Sequence, residues 1–382
     1  MKIVFTVHSY YPKKDGVQAV TRYLAEGLAK KNHKVIVITH SIEGEASTCI
    51  YNGVEIFRVN AETIHTFNFG DKNKVQELIK NKCADADAII NVCAQTVLTD
   101  WTFPLLEELP CKRILYLHGI IEIKYTKRDF VSFSVFAHKV WNRYRSKYYY
   151  WRNKKYLQQY DVVTQLHRFD EGYDFFDKKL GIKSVVVENA ADDSFFSKEE
   201  VKDNNFPEKY IIFVANYMER KNQEMIMKAY YQSNVTSYSL IFIGSEKNSY
   251  YDKLCELKNI LENEYGKRDT RILTNIPRED VQKYVRCASI YALGSIWEAF
   301  PISIIESMAA GVPFISTDVG ITKYLPGGVI VNSIEEMSYW FECLTQNCHM
   351  AKCLGNVGKI YAERNLRIEA KVDKLEDLIN ES

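Results

Sequence analysis

Short unbroken apolar runs alternate along this chain with longer stretches in which apolar residues return every third or fourth position. The first run, IVFTV at 3–7, is rich in β-branched residues and reads as a buried strand. A loop from Ser9 to Gly16 follows, and then Val17, Val20, Leu24 and Leu28 mark one face of a helix. Lys31-Asn32-His33 interrupts that helix, and KVIVIT at 34–39 makes a second strand. Strand, helix and strand in this order form a parallel pair joined by a right-handed crossover. Further short strands are read at 54–58, 88–92, 113–117, 161–164 and 184–187, with helices fitting between most of them.

The pattern restarts with YIIFVA at 210–215. A helix near 222–231 and apolar runs at 239–244, 271–273, 289–293, 314–317 and 329–331 continue it. Two blocks of alternating strands and helices predict an α/β chain of two Rossmann-like, doubly wound domains facing a central cleft. The expected divisions are 1–195 for the first domain, 196–356 for the second, and 357–382 for a last helix crossing back to the first. The joint is a polar stretch, 189–207, that ends at Pro207. Ligands of such sheets bind beyond the carboxyl ends of the strands, so residues that follow strands carry the candidate chemistry.

A length of 382 residues suits two domains, and 46% hydrophobic with 26% charged residues is an ordinary globular balance. The net charge of +1 supplies no global field, so a nucleic-acid or membrane partner must meet a local patch. MKIVFTVHSYYP is read as a first strand rather than a leader. No stretch nears the ~18 apolar residues of a membrane span, and the expected location is cytoplasmic. The nine cysteines include no CxxC pair. Cys343, Cys348 and Cys353, beside His349, are spaced five apart, unlike the ligands of a structural zinc, and are read as reduced thiols.

The most informative segment is WEAFPISIIESMAAGVPFIST at 297–317. A helix is expected to start near Pro301 and to end at Gly311 and Pro313, with a strand after it. Glu298 then lies on a loop at the carboxyl edge of the sheet, and Glu306 about one and a half turns into the helix. The free amides of Ile302 and Ser303 favour an anion by ~0.3–1 kcal/mol, while Pro301 offers only shape. Amides for a diphosphate and carboxylates for sugar hydroxyls make a plausible cradle for a nucleotide-sugar. A lone E-x7-E spacing would read as an ordinary helix with a solvated acid at each end; the strand–loop–helix–Gly–Pro–strand setting favours the cradle.

This block resembles the E-x7-E signature of glycosyltransferase family 4, the group 1 glycosyltransferases, which are retaining enzymes of the GT-B fold. The resemblance extends over nearly the whole chain. It implies that Glu298 contacts the donor sugar and Glu306 the ribose hydroxyls, with intervening amides, those of Phe300, Ile302 and Ser303, on the phosphates. Proline stands at 301 where many relatives have glycine. Arg220-Lys221, after the YIIFVA strand, can neutralise a departing diphosphate, and the family places a basic pair there. Relatives often add an arginine a few residues earlier, where this chain has Asn216. Gly244 at a strand end admits close approach of a ligand. Asn275-Ile276-Pro277 falls where relatives recognise the base through backbone, Ile276 at its centre.

In the first half, Asp15-Gly16 precedes the first helix without forming a G-x-G-x-x-G fingerprint. The family has paired glycines here, facing the donor phosphates, and this chain keeps Gly16. His118 follows RILYL, where the family places a histidine beside the transferring sugar, and Asn189 aligns with a family asparagine, although Ala190 replaces the usual glycine. No carboxylate stands out as a nucleophile, and the family is held to react by front-face substitution. Asp85-Ala86-Asp87 precedes its strand rather than following it, the wrong end of a sheet for holding a metal, so no divalent ion or other cofactor is expected.

Residues 130–160 contain no acidic side chain. They interleave Lys139, Arg143, Arg145, Lys147, Arg152, Lys154 and Lys155 with Trp141, Tyr144, Tyr148, Tyr149, Tyr150 and Trp151. That mixture suits an anionic membrane surface or a lipid-pyrophosphate acceptor, while a packed surface helix and single-stranded RNA are the other readings. The resulting expectation is a retaining hexosyltransferase. It would use a UDP- or GDP-sugar and a glycan or lipid-linked acceptor at the inner face of a membrane, in cell-surface polysaccharide synthesis, without nucleic acid. A nucleotide-sugar epimerase of the same fold would epimerise free donor without acceptor. A silent sugar-binding subunit would neither hydrolyse nor transfer it.

Overall fold

The computed structural model describes the chain apart from residues 14–15, 65–66, 120–131, 198–205 and 382. Two compact units emerge, Met1–Asn189 with Ile368–Ser382, and Ala190–Arg367. The expected Asp15 and residues 130–131 of the basic segment lie outside the described residues.

The first unit contains strands β1 (Lys2–Val7), β2 (Lys34–His40), β3 (Thr48–Tyr51), β4 (Val54–Val59), β5 (Ala61–Ile64), β6 (Phe67–Gly70), β7 (Ala88–Val92), β8 (Lys112–Tyr116), β9 (Val162–Gln165) and β10 (Ser184–Val186). Its helices are α1 (Gly16–Lys30), α2 (Lys72–Cys83), α3 (Val97–Thr102), α4 (Phe133–Arg152), α5 (Lys154–Leu157) and α6 (Glu171–Phe175), with a C-terminal helix at Ile368–Asn380. Eight strands form one sheet in the order β10-β9-β8-β7-β1-β2-β4-β3. Only the β3–β4 pair in it is antiparallel. Every residue of β7, and Ile3 to Val7 of β1, is buried. Parallel strands covered by helices on both faces lose their alternation, which is why these segments stand out as unbroken apolar runs. The one amide among them, Asn91, donates to Thr6 Oγ1 at 2.6 Å and accepts from Tyr160 Oη at 2.8 Å, so its burial is compensated.

The C-terminal helix buries Val372, Leu375 and Leu378. It lies so close to α1 that a Cβ on Gly27 would meet Val372 Cγ2 at 2.4 Å. Lys31 pairs with Asp373 at 2.6 Å, and His33 Nε2 lies 2.6 Å from Glu376 Oε1. Lys31 Nζ also bonds Glu376 Oε2, and that bond first, then the one from His33, holds the Glu376 carboxyl below its usual range.

The second unit has β11 (Tyr210–Val214), β12 (Ser239–Gly244), β13 (Thr270–Thr274), β14 (Ile290–Leu293), β15 (Phe314–Thr317) and β16 (Gly328–Val331). Its helices are α7 (Gln223–Gln232), α8 (Ser249–Tyr265), α9 (Arg278–Arg286), α10 (Ile302–Ala310), α11 (Ile334–Gln346) and α12 (Cys348–Asn365). The six strands run parallel in the order β13-β12-β11-β14-β15-β16.

The junctions fall at 189/190 and 367/368 rather than at 195/196 and 356/357. Phe195 and Phe196 are buried in the second unit, where Arg278 lies 5.2 Å over Phe195 and Arg367 4.2 Å over Phe196. Helix α12 is fixed to the same unit through glycine, since a Cβ on Gly355 would meet the Gly311 carbonyl oxygen at 2.1 Å. The expected single helix at 357–380 is therefore two, parted at Leu366 and Arg367.

Candidate active site

In the second unit, β11 has β12 on one side and β14 on the other, so the order of winding reverses there. Loops leaving the carboxyl ends of two such strands turn to opposite faces of the sheet and leave a crevice. Arg220 and Lys221 lie on the loop after β11, Glu298 on the loop after β14. Polar bonds fasten the loops together. Asn222, at φ 51°, donates through Nδ2 to the Gly294 carbonyl at 3.0 Å, and Ile296 N donates to the Arg220 carbonyl at 2.8 Å. The Lys221 ammonium then donates to Glu298 Oε1 at 2.6 Å. Both side chains are mostly covered, 21% and 11% exposed, so solvent screens the pair less than a surface one. Arg220 lies 5.4 Å over the Trp297 ring.

The loop that carries Glu298 is backed by Gly320, at φ +53°. A Cβ there would meet the Ala299 carbonyl oxygen at 2.2 Å and that of Glu298 at 2.6 Å. Only glycine permits this approach of two backbones.

Helix α10 begins after Pro301 with no side-chain cap, whereas Asn248, Ser333 and Asn347 cap α8, α11 and α12. Its first turn therefore keeps amides suited to an anion, at Ile302 and Ser303. Phe300, just ahead of that turn in sequence, is buried. Glu306 lies farther along the helix and is buried. Burial pushes its carboxyl up, and the opposing pull comes from Arg278, whose Nη2 bonds Glu306 Oε1. Arg278 opens α9, directly after the loop holding Ile276, and so joins the carboxyl end of β13 to α10.

Gly244 ends β12 as expected, but the structure gives its missing Cβ another reason: that atom would lie 2.4 Å from the Tyr217 ring. Tyr217 in turn donates to the Leu273 carbonyl at 2.7 Å. The close neighbour of Gly244 is thus a tyrosine of the protein itself.

Gly16, His118 and Asn189 belong to the first unit. Gly16 starts α1 with open space where a Cβ would stand. His118 follows β8, half-buried, with its ring 5.3 Å from that of Tyr116. Asn189 is buried, just past β10. The winding of this sheet reverses between β1 and β7. Beyond their carboxyl ends lies a cavity of about 350 Å³, lined by His8, Ser9, Val17, Thr63, Val92, Cys93, Gln95 and Thr96. Asp85 and Asp87 are at the opposite, amino end of β7, where Asp85 pairs with Lys2 Nζ and Asp87 Oδ2 accepts from Lys2 N at 2.6 Å.

Sequence reasoning missed Arg278, Asn222, Gly320 and the cavity. Arg278 had a readable signal, a cation just past a strand. Asn222 and Gly320 act through backbone geometry, and no pattern of apolar positions reports that. The cavity depends on Cys93 and Gln95 taking positive φ, 64° and 61°, which neither residue type announces.

Two family models match the sequence, "Glycosyl transferases group 1" over residues 196–325 and "Glycosyltransferase Family 4" over residues 14–165. A search of curated proteins returned no match. Among solved structures, sucrose-phosphate synthase from Thermosynechococcus elongatus superposes with a TM-score of 0.76 at 14% identity, covering 99% of this chain and 98% of that one. Anabaena HepE in complex with UDP gives 0.73 at 13% identity, with 100% of each chain covered. WaaG, a glycosyltransferase involved in lipopolysaccharide biosynthesis, gives 0.67 at 15% identity, again with 100% of each covered.

Proposed function

We propose, from the premise that the chain belongs to the group 1 glycosyltransferases and has their GT-B fold, that it is a retaining hexosyltransferase. Its donor is a UDP- or GDP-hexose and its acceptor a glycan or lipid-linked glycan of cell-surface polysaccharide synthesis. The observation that carries this reading is the 2.6 Å pair of Lys221 and Glu298, clamped between two strand ends beside an uncapped helix start. In this reading Glu298 accepts from a hydroxyl of the donor sugar while the amides of Ile302 and Ser303 receive the diphosphate. Lys221 and Arg220 meet the charge that grows on the leaving phosphate. Because Glu298 already holds Lys221 in place, little reorganisation is needed when that charge appears. Glu306, steadied by Arg278, takes the ribose hydroxyls. The leaving phosphate removes the acceptor proton on the same face that the acceptor attacks, which preserves the anomeric configuration.

HepE was solved with UDP and with UDP-glucose, which supports a uridine donor. We assign the acceptor to the cavity between the ends of β1 and β7. Two cations at the diphosphate do the work that a divalent metal does in other transferases, so none is required. The test is turnover of UDP- and GDP-hexoses by purified protein, with and without a chelator, and the product anomer read by NMR. Glu298→Gln and Lys221→Ala should each lower kcat/KM by roughly two orders of magnitude with the circular dichroism unchanged. Parental turnover in either variant would remove that residue from the mechanism, and an inverted anomer would refute retention.

A further inference from the structure

We propose that the outward face of α4 is a docking surface for a bilayer of anionic phospholipid. The docking claim goes beyond the transferase reading and does not depend on it; only the link to a lipid-linked acceptor does. Helix α4 runs for 20 residues and has two unlike faces. Ser146 and Tyr150 are buried on the inner one. There Tyr149 donates from Oη to Asp100 Oδ1 at 2.5 Å and accepts from Gln95 N at 3.0 Å, and Gln95 Nε2 donates to Ser146 Oγ at 3.1 Å.

The outer face carries Trp141, Tyr144, Tyr148 and Trp151, at 62, 63, 47 and 71% exposure. Their spacing of three, four and three residues places them within roughly a 100° arc of the helix. The ring centroids follow one another at 6.4, 6.4 and 6.0 Å, so the rings form one continuous ridge along the helix. By the same helical geometry Arg145 and Arg152 flank the ridge on one side, and Lys147 on the other.

A ridge of this kind is costly in water, since each ring covers only its neighbours and leaves its outer edge wet. Tryptophan and tyrosine are the side chains suited to the headgroup level of a bilayer, where an apolar ring meets lipid and a polar atom stays hydrated. Cations on both flanks and the acid-free stretch 130–160 complement anionic headgroups. No described helix is long and apolar enough to cross a membrane, so α4 lies along the surface. A single strand of nucleic acid fits less well, because a convex helix offers no groove to follow a phosphodiester chain. Gln95, held by the inner face of α4, is also a wall of the cavity assigned to the acceptor. A lipid-linked acceptor would therefore meet its cavity about one helix diameter, roughly 10 Å, from the bilayer.

The test is flotation of the purified full chain with vesicles of phosphatidylglycerol and phosphatidylethanolamine, and separately with phosphatidylcholine alone. Donor hydrolysis is measured in the same samples. The anionic vesicles should bind at least about tenfold better, and added salt should weaken that binding. Trp141→Ala with Trp151→Ala should lower binding about tenfold while hydrolysis of soluble donor stays at the parental rate. Arg145→Gln with Arg152→Gln should remove much of the salt dependence. Tryptophan emission should shift to the blue when parental protein meets the anionic vesicles. Equal flotation of parent and variants, or capture of a single-stranded oligonucleotide with no vesicle binding, would overturn the proposal. Loss of hydrolysis with flotation intact would count against the transferase reading and leave this one standing.

Discussion

Gly320 touches no substrate in the proposed reaction, yet the position of Glu298 depends on it. Its φ of +53° costs a side-chain-bearing residue of order 1 kcal/mol or more, and a Cβ would collide with two carbonyl oxygens. Gly320→Ala should therefore push the loop of Glu298 outward, lowering stability by about 1–3 kcal/mol and turnover by at least about tenfold. Thermal denaturation beside steady-state kinetics checks both, and unchanged kinetics would separate that loop from catalysis. A second residue ties stability to pH. His167 is buried, with Nε2 3.8 Å from Glu188 Oε1, and the second oxygen of Glu188 is already 3.3 Å from Lys371 Nζ. Burial pushes the imidazole pKa down, Glu188 opposes this, and Arg168 adds to the lowering. A folded pKa below the usual 6.5 means that the unfolded chain takes up the proton first. The stability that this supplies is present above pH 6.5 and is lost as pH falls through the folded value. Melting curves between about pH 7 and pH 5.5 should fall more steeply for the parent than for His167→Gln, and parallel curves would contradict the assignment.

At the scale of elements, the strands buried on both faces were legible because parallel pairing leaves them no polar side: IVFTV, AIINV and SLIFIG could hardly be anything else. The edge was not. In β3 exposed Thr48 and Ile50 alternate with half-buried Cys49 and Tyr51, and the antiparallel β5–β6 pair, a separate small sheet, is mostly exposed, so neither has an apolar run to announce it. The C-terminal helix shows a different limit. Its apolar spacing is plain, but Val372 finds its place only because Gly27, far away in sequence, leaves room for it. Leu375 is fully buried in the same seam, so Leu375→Ala should cost about 2–5 kcal/mol and lower the midpoint of chemical denaturation. A change under about 0.5 kcal/mol would mean that the helix is not anchored there.

For the molecule as a whole, the double winding could be read from the order of strands and helices, and with it the rule that ligands gather where the winding reverses. Lys221 and Glu298 were legible as residues that follow strands, and the resemblance to the group 1 glycosyltransferases is what implied their roles. The rule could not supply Arg278 beneath Glu306, since which loop reaches which helix depends on packing around Phe195. Nor could it place the unit boundaries, because Phe195 and Phe196 look like linker residues until Arg278 and Arg367 are seen lying over them.

The two junctions have a consequence for biosynthesis. Residues 190–367 are one uninterrupted stretch, whereas the first unit draws on both sides of it. On a ribosome the second unit has all its parts as soon as residue 367 emerges, but the first must wait for the segment made after it. Until then the notch at Gly27 has nothing to receive, and the apolar face that Val372 and Leu375 will cover stays open to water.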